Sequence, residues 1–166
     1  MMPYYEEAAD HADRFAERNG LTYDRELGKG YDGIVFATGR PSAVKAFRHE
    51  SLYHNELAVY RRLEEEGMRE VRGFKVPRLY AADEELWVLE MEWVHPPFVL
   101  DFAGAYLDRE PPWKNDPEVY GTWFAEKKEQ FGPDRWGEVL AVMRELLRVG
   151  VHLADVKPGN IEFEDP

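Results

Sequence analysis

The sequence contains no cysteine. That excludes a disulfide framework, a thiolate metal site and a cysteine nucleophile together. It has no basic excess either, because 33 Asp and Glu outweigh 21 Lys and Arg, giving a formal charge of −12. Such a surface repels a phosphate backbone, so nucleic acid is not an expected partner. No apolar run reaches the roughly 20 residues of a membrane-spanning helix. The opening Met1-Met2-Pro3-Tyr4-Tyr5-Glu6-Glu7 lacks the basic and apolar blocks of a signal peptide. A soluble, cytoplasmic protein with no membrane partner is therefore expected, and no repeat or low-complexity tract is visible. What the chain does have is apolar and aromatic: 44% hydrophobic residues, with five Trp, nine Tyr and nine Phe. Its 166 residues suffice for one globular domain, or for two small lobes sharing a cleft.

The stretch richest in chemistry is Asp155-Val156-Lys157-Pro158-Gly159-Asn160. It follows a helix-patterned segment, residues 136–149, and precedes a short extended run, residues 160–164. An Asp can accept a hydroxyl proton, a Lys two positions on can neutralise a transferring phosphate, and an Asn five positions on can hold magnesium. Pro158 fixes φ and Gly159 permits an unusual backbone angle, which lets the loop aim three polar side chains together. A polar turn joining helix to strand is the plain alternative.

From the start of the chain, residues 5–19 carry Tyr5, Ala8, Ala9, Ala12, Phe15 and Ala16 at helical spacing, with Asn19-Gly20 as a stop. Residues 21–27 read as a strand entering Gly28-Lys29-Gly30-Tyr31-Asp32-Gly33, and Ile34-Val35-Phe36 continues as strand. A dinucleotide-binding glycine loop has to open a helix, which this one does not. A glycine hairpin between two strands can instead lay backbone N–H groups over phosphates, although three glycines also suit a bare tight turn. Residues 42–47 form the third strand, with Lys45 between apolar neighbours, where a Lys is costly unless paired or snorkelling. Residues 50–66 are helical, ended by Gly67, and offer Glu56 and Glu50 as partners for Lys45. Strands over 76–80 and 86–91 flank an acidic turn at 82–85, and His95-Pro96-Pro97 breaks the chain at a lobe boundary. Beyond it, a short helix is expected over 98–107 and a longer one over 118–131, with Trp113, Trp123 and Trp136 as core anchors.

Leu27 to Val35 fits L-G-x-G-x-x-G-x-V at every fixed position, Ala43-Val44-Lys45 follows, and the D-x-K-P-x-N loop comes later. With these motifs the chain resembles the eukaryotic-like protein kinases over roughly residues 21–164. The resemblance implies an α+β fold. An N-terminal helix (1–20) would lead into a small lobe and hinge (21–94) with a five-stranded antiparallel sheet and one αC helix. A truncated, mainly helical large lobe (95–166) would carry the catalytic loop. Gly28, Gly30, Gly33 and Val35 would cover ATP. Lys45 would touch its α- and β-phosphates, held by Glu56, which precedes the same kind of apolar run as the kinase ion-pair Glu; Glu50 is the runner-up. Met91 would close the back of the pocket, and the Glu92 carbonyl and Val94 N–H would meet the adenine edge. Asp155 would be catalytic base, Lys157 the γ-phosphate contact and Asn160 the magnesium ligand. The implied cofactors are ATP and Mg²⁺. The implied partners are that nucleotide and a phosphate acceptor, a Ser/Thr-type hydroxyl on a protein or on a small molecule.

Two departures shape the expected activity. Leu153 and Ala154 stand where kinases carry His and Arg, so regulation through a phosphorylated activation loop is not expected, and His152 reads as structural. Kinases also bring a downstream Asp-Phe-Gly back to the metal, and the printed residues reach only Pro166. Asp165 would sit about 16 Å along a strand from Asn160, too far to share a metal with it. Nucleotide binding with weak phosphate transfer is therefore expected. A pseudokinase acting as a nucleotide-binding or scaffolding module is the alternative. A small-molecule phosphotransferase resembling antibiotic or choline kinases is a third reading, though those usually carry His where Lys157 stands.

Overall fold

The computed structural model describes residues 3–164; Asp165, weighed above as a metal ligand, lies outside them. In chain order the elements are α1 (Glu6–Asn19), β1 (Tyr23–Lys29), β2 (Gly33–Thr38), β3 (Ser42–Phe47), α2 (Glu50–Glu65), β4 (Glu70–Val71), β5 (Phe74–Lys75), β6 (Leu79–Asp83) and β7 (Val88–Glu92). After these come β8 (Val99–Leu100), β9 (Tyr106–Leu107), α3 (Pro117–Phe131), α4 (Pro133–Leu147), β10 (Val151–His152) and β11 (Ile161–Glu162). Short 3-10 turns, Pro3–Tyr5 and Pro112–Asn115, precede α1 and α3. The described residues thus form an α+β protein with a five-stranded antiparallel sheet and four α-helices. None of these helices is long and apolar enough to cross a membrane. The chain divides into two compact units: one runs to Arg61 and resumes over Pro77–Val94, the other takes Arg62–Val76 and everything from His95. Residues 62–76 therefore group with the C-terminal part rather than with a continuous 21–94 lobe, and α1 belongs to the first unit.

The first unit is built on the sheet β1-β2-β3-β7-β6. Its central strand β3 is buried at all six positions, because helices use both of its faces. Val44 and Ala46 join Ile34 and Val88 in a core closed by Ala8, Ala12 and Phe15 of α1. Four buried alanines in α1, Ala8, Ala9, Ala12 and Ala16, let that helix lie close to the sheet, and Gly20, in the left-handed region at φ 63°, ends it. The alternate side chains of β3 reach the opposite face. There Lys45 meets Glu56 of α2, and Phe47 meets Tyr53 edge-on with ring centroids 5.9 Å apart. Tyr53, Glu56, Leu57 and Tyr60 are all buried, a stripe at 3–4-residue spacing that turns this side of α2 to the sheet. Each large apolar side chain so buried stabilises by about 1.5–3 kcal/mol.

The second unit is less helical than the resemblance implied. Two-residue strands form a four-stranded sheet, β11-β8-β5-β4, and a pair, β10-β9. Helices α3 and α4 meet through Trp123, Phe124, Phe131 and Trp136. Arg62 donates to both oxygens of Asp108, at 2.9 and 2.8 Å, and to the Val149 carbonyl at 2.9 Å. Those hydrogen bonds hold the Asp108 carboxyl below its usual range. Of the three tryptophans read as core anchors, Trp136 is buried, whereas Trp113 and Trp123 are half-buried.

Several expected boundaries move, each for a local reason. The expected helix over 98–107 is instead β8 and β9. Phe98 and Gly104 take positive φ, 61° and 72°, and the Asp101 carboxylate accepts the Ala103 N–H, a local bond that competes with helix formation. The strand expected over 76–80 starts only at Leu79. The turn after it is gathered by Asp83, whose carboxylate accepts the Glu85 and Leu86 N–H groups, with Trp87 at φ 52°. β1 runs two residues later than expected, through Gly28, with a bulge between Glu26 and Gly28. Helices α3 and α4 begin earlier, at Pro117 and Pro133, because proline suits a first helical turn. The run expected over 160–164 pairs only at Ile161 and Glu162.

Candidate functional site

The chemistry-bearing residues fall into two sets, one in each unit. In the first, strand register does the positioning. Gly28 pairs with Val35, Val35 with Lys45, and Lys45 with Leu89, so these four stand in one row across four strands. Directly paired residues share a face, which here is the face that meets α2 at Lys45. Met91, two residues beyond Leu89, shares it too, and the Tyr60 hydroxyl lies 3.5 Å from its sulfur.

Lys45 Nζ donates to Glu56 Oε1 at 2.9 Å, and the two residues are only 8% and 3% exposed. Glu50 is not the partner; it sits at the exposed start of α2, 3.4 Å from His54. Sequence reasoning gave no role to Asp32, whose carboxylate is 3.6 Å from the Lys45 amine. The same hairpin is held from outside. Gly30 N–H donates to the Gly33 carbonyl at 3.0 Å, the Tyr5 hydroxyl donates to the Gly30 carbonyl at 3.1 Å, and Arg48 donates to the Tyr31 carbonyl at 3.0 Å. No spacing rule flags Asp32 or Arg48; only the loop's folded path brings them in.

The three glycines differ in their reasons. A Cβ at Gly33 would drive into the backbone carbonyl of Ala46 on β3, so this glycine is required by packing. At Gly28 and Gly30 a Cβ would meet nothing within 4 Å. Packing therefore does not explain those two, which leave the backbone open to close approach from outside.

At the end of β7 the Glu92 N–H donates to the Arg78 carbonyl at 2.8 Å, and the Trp93 N–H to the Pro41 carbonyl at 3.4 Å. The Val94 N–H donates to no acceptor among the described residues.

The second set lies between β10 and β11. Leu153, Val156, Asn160 and Ile161 are buried, while Asp155 and Lys157 are exposed. Anchors and projecting groups thus alternate along a loop closed by hydrogen bonds from the Asn160 and Ile161 N–H groups to the Lys157 carbonyl, 2.9 and 3.1 Å. Gly159 takes no positive φ, contrary to the angle expected of it; the turn is made by Pro158 and these bonds. Asn160 Nδ2 donates to the Asp155 carbonyl at 2.8 Å and to Asp155 Oδ2 at 3.0 Å. Lys157 Nζ lies 3.4 Å from the same carboxylate oxygen. Asp155, Lys157 and Asn160 are therefore brought together around one carboxylate.

The two bonds donated by its amide nitrogen orient Asn160, and its Oδ1 accepts none from the described residues. A carboxamide oxygen is a hard ligand of the kind magnesium takes. No cluster of three or more His, Asp or Glu that could hold a metal occurs among the described residues. Magnesium does not demand one, since one or two protein ligands with phosphates and water satisfy it.

Comparison with protein-family models gives no match to this chain, and comparison with curated proteins gives none either.

Proposed function

We propose that the protein binds ATP with magnesium and transfers the γ-phosphoryl group to a hydroxyl acceptor, as the kinases it resembles do. The observation that carries this reading is the buried Lys45–Glu56 pair. A buried ion pair contributes little to stability compared with apolar residues of the same volume, so folding alone does not account for it. Its place in a row with Gly28 and Val35, beside two glycines that packing does not require, is what a phosphate anchor needs.

In this reading Glu56 holds the Lys45 amine towards the α- and β-phosphates, and the absence of side chains at Gly28 and Gly30 lets the phosphates approach the hairpin backbone closely. The Val94 N–H and Glu92 carbonyl meet the adenine edge. Bound ATP and magnesium supply the transferable phosphoryl group and neutralise its charge. Asp155 accepts the proton of the acceptor hydroxyl as that oxygen bonds to the γ-phosphorus. The bond from γ-phosphorus to the bridging oxygen then breaks and ADP leaves. Lys157 balances charge on the moving phosphoryl group, and Asn160 Oδ1 is the metal ligand.

A ligand that binds only the folded chain at a hundredfold excess over Kd stabilises it by about 2.7 kcal/mol. Thermal unfolding with millimolar ATP and magnesium should therefore shift upward, and Lys45→Met should remove the shift. The absence of any shift in the wild type would end the nucleotide reading and leave a scaffolding role.

A further inference from the structure

The transfer chemistry leaves unexplained a cavity of about 550 Å³ within the second unit. That volume lies inside the roughly 300–1,000 Å³ range of small-ligand sites. Three of its residues, Glu118, Thr122 and Glu126, are four apart on α3 and so share one helix face. Trp123 of α3 and Trp113 of the preceding 3-10 turn add two indole rings, with centroids 4.9 Å apart and planes tilted by 37°. Ala154, the neighbour of Asp155, lines it as well.

The chemistry of these walls is one-sided. Indole faces carry negative quadrupole density and attract cations. The two carboxylates add charge of the same sign, and no lining residue is basic. Neither Glu118 nor Glu126 forms an ion pair among the described residues. Lys114, next in sequence to Trp113, places its amine 5.8 Å over the Tyr120 ring, which is not a lining residue. An anion would be repelled. A neutral apolar ligand would cover the carboxylates with nothing to replace their water. A bare divalent ion finds no cluster of three metal-binding side chains among the described residues.

We propose that this cavity binds an organic cation, an ammonium or guanidinium group seated against Trp113 and Trp123 and balanced by Glu118 and Glu126. Binding of the cation stands independently of the transferase reading. One extension rests on that reading: because Ala154 adjoins Asp155, the cation belongs to the phosphate acceptor, whose hydroxyl is then held near the base.

The test is a titration of the full chain, followed by tryptophan fluorescence and by NMR of the indole N–H signals. Its probes are tetramethylammonium, methylguanidinium and neopentyl alcohol, the last an uncharged, water-soluble analogue of the first with a quaternary carbon in place of nitrogen and one added hydroxyl. Saturable binding of either cation, at least about tenfold tighter than the alcohol, is the expected result; which cation binds tells ammonium from guanidinium. Glu118 and Glu126 are exposed, so the double variant Glu118→Gln/Glu126→Gln should fold with an unchanged circular dichroism spectrum and bind about tenfold more weakly. Affinity should also fall with added salt. Equal binding of the alcohol, no loss in the double variant, or no saturable response to either cation overturns the proposal. The ATP-induced thermal shift does not use these residues, so it separates failure of this site from failure of the nucleotide reading.

Discussion

At the scale of single residues, Lys45 is the position where structure and chemistry press hardest on each other. Its amine is buried on a strand whose neighbours are apolar, and Glu56 meets it at 2.9 Å. Removing one member of a buried pair leaves the other charge uncompensated, at a cost of about 3–5 kcal/mol. Glu56→Ala should therefore lower stability by about 3 kcal/mol, the lower end, because Asp32 stands 3.6 Å from the same amine. Lys45→Met leaves the buried Glu56 carboxylate without its partner and should cost about 3–5 kcal/mol while removing ATP binding, whereas the double variant Lys45→Met/Glu56→Leu, which removes both charges, should cost much less. Chemical denaturation of the three variants checks this, and a double variant less stable than either single one would show that the uncompensated charge is not the cause. Tyr23 gives a pH-dependent case. Its hydroxyl donates to the Ala12 carbonyl, and burial pushes the phenol well above its ordinary value, with the charges of Asp13 and Glu90 adding to the effect. Above pH ~10 the unfolded chain releases a proton that folded Tyr23 retains, so stability falls as pH rises. Tyr53, raised mainly by burial, has the same sign. Tyr23→Phe should cost about 1 kcal/mol at neutral pH through the lost hydrogen bond, and its stability should decline less steeply above pH ~10. An unchanged alkaline slope in urea titrations of the variant would assign the effect elsewhere.

At the scale of elements, the hairpin joining β1 to β2 separates what packing requires from what it leaves open. Gly33→Ala pushes a methyl group into the Ala46 carbonyl and should cost about 1–3 kcal/mol. Gly30→Val points into open space on an exposed turn and should leave stability within about 0.5 kcal/mol. It should nonetheless weaken ATP binding about tenfold if phosphates approach the backbone there. Melting curves with and without ATP distinguish the two, and an unaffected ATP shift in Gly30→Val would show that this glycine is only a turn residue. The hairpin also shows what the sequence made readable. Alternating apolar residues around closely spaced glycines mark two strands and a turn, and the α2 stripe with Glu56 in it is visible as a period. The reach of Asp32 to Lys45 and the clasp of Arg48 on the loop have no local period, since both depend on where the chain goes after the turn. The same limit explains β4, β5, β8 and β11. Two-residue strands are too short for any alternation: β4 and β5 pair with each other across a tight turn, and Val99 and Leu100 of β8 pair with Ile161 and Glu162 some 60 residues later. Trp113 and Trp123 were legible as aromatic but not as cavity walls, because a ring's exposed face depends on what packs opposite.

At the scale of the whole molecule, the proposed functions divide between two units, and that division yields the most discriminating measurement. Lys45 and Glu56, the proposed phosphate anchor, belong to the first unit, and Asp155, Lys157 and Asn160 to the second. Damage to each should therefore leave a different trace. Lys45→Met should remove the ATP-induced thermal shift and transfer together. Asp155→Asn keeps the size of the side chain but cannot accept a proton. Its exposed position makes a large folding cost unexpected. ATP should still raise its melting temperature as in the wild type. Transfer of labelled phosphate, or hydrolysis of ATP in the absence of acceptor, should fall by about 10²–10⁴, the usual contribution of a positioned acid–base group. The Asn160 amide donates to Asp155 in the wild type, so a second variant guards against mere rearrangement of the loop. Asn160→Asp supplies an oxygen ligand without the donor, and should retain activity that rises with magnesium concentration. If Asp155→Asn turns over ATP at the wild-type rate, Asp155 is not the base and the transferase reading fails, even where the thermal shift has established that the nucleotide binds.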